Sequence, residues 1–231
     1  LLNENWFKKL RTLTGDVKMY KKTVVLGIML AAMAVLSCSC TQPTPLFNGR
    51  DLTGWKGATD GYTVEDGKLV CLKETLFGNN LYTEREYSDF KLRFEFKLSP
   101  GANNGLGIRT PIDGNPAYDG MELQILDNSA WEPGTLRPYQ FHGSIYGVVP
   151  AKQGHLKPVG QWNRQEVIAD GPHITVKLNG ATIVDADLEK VATPEILKSN
   201  KGLLRKKGYI AILGHESRVE FRNITIVELN K

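Results

Sequence analysis

The 231-residue sequence predicts an all-β fold, a two-sheet β-sandwich or jelly roll, on three observations. Residues 90–98 alternate without a break. Phe90, Leu92, Phe94, Phe96 and Leu98 face one way; Lys91, Arg93, Glu95 and Lys97 face the other. That period of two belongs to a strand with one buried face. Short stretches of the same kind recur between turn signals: Asp66-Gly67, Pro100-Gly101, Asp113-Gly114 and Asp170-Gly171. Third, Asn179-Gly180 separates two β-rich runs, and an Asn-Gly pair suits the type I′ turn of a tight hairpin because both central residues need positive φ.

Taken in order, strands are predicted at 62–65, 68–72, 90–98, 105–109, 121–126, 143–148, 163–169, 173–178, 181–186, 208–213 and 219–227. Only 187–198 suits a short helix. No internal repeat or low-complexity stretch is evident, so a single β domain is expected over residues 46–231.

The first 37 residues read differently. Lys21 and Lys22 precede an apolar run from 24 to 36, about 13 residues, the length of a signal-peptide core and short for a bilayer span. Val35-Leu36-Ser37-Cys38 resembles a lipobox, which implies a lipid on Cys38 and a membrane-anchored protein of the cell envelope; Cys40 is the alternative processing site. Residues 1–37 are therefore expected to be an upstream extension and signal peptide, with a start at Met19, and 38–45 a Pro-containing tether.

Charge follows the same division. The chain holds 29 Lys and Arg against 25 Asp and Glu; the leader accounts for six and two of these, leaving 23 of each. A domain so balanced gives no support to nucleic-acid binding, which needs a basic face. The cysteines outside the leader are Cys38, Cys40 and Cys71, too few for a disulfide framework and without metal-type spacing.

Several motifs carry a family resemblance. Leu46-Phe47-Asn48-Gly49-Arg50-Asp51-Leu52-Thr53-Gly54-Trp55, then Asn103-Asn104-Gly105-Leu106-Gly107-Ile108-Arg109, then Gly120-Met121-Glu122-Leu123-Gln124-Ile125-Leu126-Asp127, Gly143-Ser144-Ile145-Tyr146 and the end from Gly208 to Leu229 are similar to the 3-keto-disaccharide hydrolase family. The resemblance spans about 46–229. It implies a concanavalin A-like sandwich with a carbohydrate groove, and an activity on sugars oxidised at C3, by hydrolysis or elimination. It also supports His215 as a site residue. Similar proteins read Leu-Gln-Asp-His near the C-terminus; Ile212-Leu213-Gly214-His215 stands here, which predicts a less polar groove wall.

The chemistry defines the residues to look for. A C3 ketone acidifies the hydrogen on C2, and the enolate then expels the glycosidic oxygen from C1. A base at C2, a stabiliser at the C3 oxyanion and an acid at the leaving oxygen are needed. Glu122 is the leading base, since Met121, Leu123 and Ile125 take the core side of its strand and leave Glu122 and Gln124 on the other. The bland alternative is a Glu on a solvated sheet face. Arg109 is the candidate oxyanion holder, or else a structural ion pair. His142 or Tyr146 is the candidate acid, sharing one predicted strand face with Ser144. Asn104, Gln124, Asp127, Arg93 and Glu95 are candidate substrate contacts, and Trp131, in the loop 128–139, a candidate sugar-stacking lid. A divalent ion held by Glu122, Asp127, His142 and His215 is left open as a cofactor, but no His-Glu-x-x-His spacing occurs and no metal ligands are assigned.

An oligosaccharide or glycoside is the expected partner. A carbohydrate-binding lipoprotein with no chemistry is the second reading, because a fold does not imply a function. A retaining glycosidase is third; its Glu-x-Asp-x-x-Glu signature is absent, the nearest stretch being Glu122 to Asp127.

Overall fold

Alternating sequence becomes alternating burial, and the two sheets follow from it. The computed structural model describes residues 42–229; the predicted leader, Cys38 and Cys40 lie outside them. Thirteen strands follow one another among the described residues: β1 (Thr44–Pro45), β2 (Trp55–Gly57), β3 (Tyr62–Glu65), β4 (Lys68–Cys71), β5 (Leu81–Thr83), β6 (Phe90–Leu98), β7 (Asn103–Thr110), β8 (Met121–Leu126), β9 (Trp162–Asp170), β10 (His173–Leu178), β11 (Ala181–Asp187), β12 (Tyr209–Leu213) and β13 (Val219–Glu228). Among the described residues helix is confined to α1 (Pro116–Asp119), α2 (Leu188–Val191), α3 (Pro194–Ser199) and isolated 3-10 turns.

The strands form two antiparallel sheets. One has the order β11-β10-β9-β6-β13-β4-β3, with β1 also on β13; the other is β2-β5-β12-β7-β8. Phe90, Leu92, Phe94, Phe96 and Leu98 of β6 are all buried in the common core, with Leu106 and Ile108 of β7 and Met121, Leu123 and Ile125 of β8. Fully burying one such side chain is worth roughly 1.5–3 kcal/mol. The predicted hairpin closes as expected: Leu178 pairs with Ala181, and Asn179 and Gly180 take φ of 51° and 94°.

The charged side of β6 lies on the outer face of the larger sheet. Arg93 pairs with Glu166 at 2.5 Å and Glu95 with Arg222 at 2.6 Å, both across strands. This corrects the expectation that Arg93 and Glu95 line the groove. Alternation placed them outward as predicted, but on the sheet that does not carry it.

Two other expectations are revised. Residues 143–148 form a turn-rich segment, because Gly143 takes φ +81° and interrupts an extended chain. Its backbone still runs antiparallel along β8: Gly143 N–H donates to Gln124 O, Gln124 N–H to Ser144 O, and Tyr146 N–H to Glu122 O at 2.9 Å. The helical stretch at 187–198 is two short helices, the second opened by Thr193 as N-cap and Pro194 at its first turn.

Candidate active site

The outer face of the five-stranded sheet is built from residues that the core pattern leaves over. Beside the inward-facing Leu106, Leu123, Ile125 and Ile212 stand Asn103, Gly105 and Gly107 of β7, Glu122 and Gln124 of β8, and Ala211 and Leu213 of β12. Gly105 pairs with Gln124 and Gly107 with Glu122. A groove of about 510 Å³ crosses this face. Its floor carries Gly105, Glu122, Gln124 and Leu213; Phe77 and His215 border it on one side, Tyr118, Trp131, Gln140 and Tyr146 elsewhere.

Glu122 is the groove's distinctive group. Among the described residues no hydrogen bond or ion pair engages its carboxylate, and no Lys or Arg lines the groove. Burial alone, with no compensating charge, pushes its pKa up to about 7. A carboxylate poised there can take a proton near neutral pH and give it back.

Gly105 makes room for that carboxylate. A Cβ on Gly105 would lie 2.2 Å from Glu122 Oε1, 2.8 Å from its Cδ and 2.8 Å from Leu213 Cδ1. All three are side-chain atoms, so Gly105→Ala should fold by pushing Glu122 aside. A displacement near 1 Å of a reacting group costs on the order of 10²-fold in rate. We expect that loss in kcat with a melting temperature within a few degrees of wild type, measured on the same preparations. Unchanged turnover would mean that Glu122's position is immaterial.

Gln124 faces the groove and donates through Nε2 to Asn103 Oδ1 at 3.0 Å. Tyr146 lies beside Glu122, across the backbone pair described above. Asn104 belongs to the lining, but its Nδ2 is turned inward, donating to Leu213 O at 3.0 Å and approaching Cys71 Sγ at 3.4 Å. His215 is half-buried and meets Phe77 edge to face, with centroids 5.1 Å apart. Trp131 stands at the rim, 39% exposed. Ahead of His215 the wall is apolar: Ile212 enters the core, Leu213 lines the groove, and Gly214 has no space for a side chain, since its Cβ would meet Thr75 Cγ2 at 2.4 Å and Asn79 O at 2.5 Å.

Besides Arg93 and Glu95, three candidates are not brought to the groove. Arg109 takes φ +48° at a bulge, where Ile108 and Arg109 oppose the single residue Ile210 between the pairs Tyr209–Thr110 and Ala211–Gly107. The bulge breaks the alternation that would have set Arg109 beside Gly105 and Gly107. Its buried guanidinium instead donates to Ser88 O at 2.8 Å, Gly171 O at 2.7 Å and Asp89 Oδ1 at 2.9 Å. Asp127 caps the 3-10 turn at Asn128–Ala130: Oδ1 accepts from Ser129 N and Oγ, and Oδ2 from Gly101 N.

His142 is a core residue. It stacks on Phe96 with centroids 4.9 Å apart, its Nδ1 accepts from Leu126 N, and its Nε2 faces Gln165 Oε1 at 3.1 Å. With Nδ1 an acceptor, Nε2 carries the proton of a neutral ring. Burial lowers its pKa to about 4, so charging it is costly. His142 therefore bridges the two sheets and cannot reach a substrate in the groove. The four-residue metal set does not assemble either: only Glu122 and His215 of it line the groove, and among the described residues no three His, Cys, Asp or Glu side chains converge.

Reading the sequence missed Tyr118, Gln140 and Phe77. Tyr118 sits on α1, whose start is marked by Asn115 as N-cap and Pro116, a signal that was available. Burial chiefly, and then Tyr146, Glu122 and Tyr139 nearby, raise the Tyr118 phenol. Gln140 closes a 3-10 turn opened by Pro138, which carried the same proline signal; Phe77 lies in a loop with none.

A two-sheet sandwich with a lone half-buried carboxylate in an aromatic-rimmed groove on one outer face is the architecture of a carbohydrate-active jelly roll. A protein of galectin-like fold from Bacillus subtilis superposes with a TM-score of 0.53 at 13% identity, over 82% of this chain and 96% of its own, a likeness of fold. The chain belongs to the 3-keto-alpha-glucoside-1,2-lyase-like domain family, whose profile matches residues 42–227. It is 24% identical over 228 residues to a 3-keto-disaccharide hydrolase of Bacteroides thetaiotaomicron, covering 80% of this chain and 78% of that one. A candidate glycosyl hydrolase from Parabacteroides distasonis, solved at 2.00 Å, superposes with a TM-score of 0.71 at 27% identity, over 81% of this chain and all of its own. The domain is thus of the glycoside-hydrolase kind.

Proposed function

We propose that the groove binds a 3-keto-glycoside and cleaves its glycosidic bond by elimination, with Glu122 as the base that removes the C2 proton. The observation that carries this reading is an unpartnered carboxylate on the groove floor whose pKa burial raises to about 7. A proton next to a ketone is acidic enough for such a base, whereas an unoxidised sugar offers no such proton. The stabiliser of the C3 oxyanion in this reading is a neutral or histidine donor, and the Gln124 amide and His215, both in the groove lining, are the candidates. Arg109 has no part in it. Family membership and the relative's activity support the substrate class. A retaining glycosidase needs a second carboxylate about 5–5.5 Å from the first; Glu122 is the one Asp or Glu in the lining.

Turnover in D₂O tests this reading. Elimination followed by addition of water places one solvent deuterium on C2 of the sugar product, and elimination alone releases an unsaturated ketone. The parent glycoside with its C3 hydroxyl should not react. Cleavage of the 3-keto-glycoside with no deuterium at C2 and no enone, against product incubated alone in D₂O, would contradict it.

A further inference from the structure

We propose that Tyr146 is the acid that protonates the leaving glycosidic oxygen and that Gln140 is the positioning residue that aims it. The proposal rests on the elimination reading above. C2–H and the C1 oxygen sit on adjacent carbons, so base and acid must be close neighbours. Tyr146 meets that condition through the backbone. Its N–H donates to the Glu122 carbonyl at 2.9 Å, while Leu123 and Ile145 form the neighbouring bridge that faces the core. Residues opposite one another in an antiparallel pair have Cβ atoms about 4.5–5.5 Å apart. Glu122 and Tyr146 therefore leave adjacent backbones toward the same groove, and both line it.

The direction of the Tyr146 proton follows from Gln140. Arg137 N–H donates to Gln140 Oε1 at 2.9 Å, which settles which end of the amide is oxygen. Gln140 Nε2 is then the donor toward Tyr146 Oη at 3.4 Å. A phenol that accepts an amide N–H keeps its own proton free to donate elsewhere, and the amide supports the negative charge left on the oxygen. Tyr118 shares the groove, but among the described residues no hydrogen bond orients its hydroxyl. His142 is held between the sheets.

The steps balance without a further reagent. Glu122 takes the proton from C2, and the C2–H electron pair forms the enolate across C2 and C3. The enolate re-forms the ketone, its electrons make the C1–C2 double bond, and the C1–O bond breaks as Tyr146 delivers its proton to the departing oxygen. For hydrolysis, the Tyr146 phenolate then takes a proton from water as hydroxide adds to C1. Glu122, its carboxyl proton having exchanged with solvent, protonates C2, and both residues are regenerated.

Leaving-group dependence tests this. Two 3-keto-glucosides are compared: a p-nitrophenyl glycoside, whose leaving group needs no proton, and a methyl glycoside, which does. Tyr146→Phe should lower kcat/KM on the methyl glycoside by about 10²-fold and on the nitrophenyl glycoside by less than about fivefold. Gln140→Leu should give the same pattern at about tenfold. Gln140→Glu keeps the size and the Arg137 contact but turns the donor into an acceptor that captures the phenol proton. It should be at least as harmful as Leu. The ratio of the two rates within one preparation does not depend on how much of it is folded. Equal losses on both substrates, or a wild-type ratio in Gln140→Glu, would overturn the proposal. Wild-type turnover of both substrates by Glu122→Gln would instead bring down the elimination reading on which it stands.

Discussion

Glu122→Gln is expected to lower turnover of a 3-keto-glycoside by about 10²–10⁴-fold, the usual effect of removing a general base, and to make the protein more stable at pH 8. The second effect follows from the same burial as the first. In the folded protein the carboxyl pKa is about 7, against 4.5 for an ordinary Glu. Below pH 4.5 both states hold the proton and the group contributes nothing to pH dependence. As pH rises from 4.5 to about 7 the unfolded chain ionises while the folded one resists, so wild-type stability falls. Above about 7 the loss is complete, at up to roughly 3 kcal/mol, and less where groove water reaches the carboxylate. Gln carries no charge at any pH. The difference in melting temperature between variant and wild type should therefore be small at pH 4.5, grow to pH 7 and then level. Wild-type kcat/KM should rise through the same interval, because the base acts only when ionised. Denaturation and rate profiles over pH 4.5–9 check both. A flat stability difference would show that Glu122 titrates normally, and an active variant that it is not the base.

That coupling of lost activity to gained stability is expected where a fold holds an unpaired charge for its chemistry. It also marks what could be read in the sequence. The alternation of residues 121–126 put Glu122 and Gln124 off the core, and they lie where the period placed them. The same rule put Arg93 and Glu95 off the core. They face outward too, yet on the other sheet. Period tells which side of a strand is wet; sheet order tells which wet side is the groove, and sheet order depends on long-range pairing. Short strands such as Trp55–Gly57 and Leu81–Thr83 are too brief for alternation to show.

Two of the departures in the site go with positive φ. The alternation that joins His142 to Tyr146 crosses Gly143, and Arg109, expected at the groove as the end of a Gly-rich strand, itself takes positive φ. At such a residue the chain turns and the count of two restarts. Arg109 carries no glycine signal of the bulge, so the sequence gives no warning. Gly143 does carry one. A predicted strand that begins with Gly was a reason to doubt that His142 and Tyr146 share a face, and Tyr146 alone of the two reaches the groove.

Arg109→Met is expected to be the most damaging substitution to stability, by roughly 3–5 kcal/mol, while leaving the chemistry of the folded fraction intact. The guanidinium is 2% exposed and ties two chain segments to the end of β7: Ser88 and Asp89 ahead of β6, and Gly171 in the turn after β9. Burial lowers its pKa, and the charges of Asp89 and Asp170 oppose that, raising it. Met fills a similar length but donates nothing. The Ser88 and Gly171 carbonyls lose their donor, and Asp89 keeps Gly171 N–H at 2.8 Å but loses its cation. Arg205 Nε still donates to the Arg109 carbonyl at 3.0 Å, a backbone bond that the side chain does not affect. Chemical denaturation should show the midpoint falling with little change in slope. Rates per folded molecule, measured well below the melting temperature, should stay within about threefold of wild type, since no atom of this side chain lines the groove. A stable Arg109→Met protein with a kcat lowered by 10²-fold or more would return Arg109 to the oxyanion and require the bulge to rearrange when substrate binds.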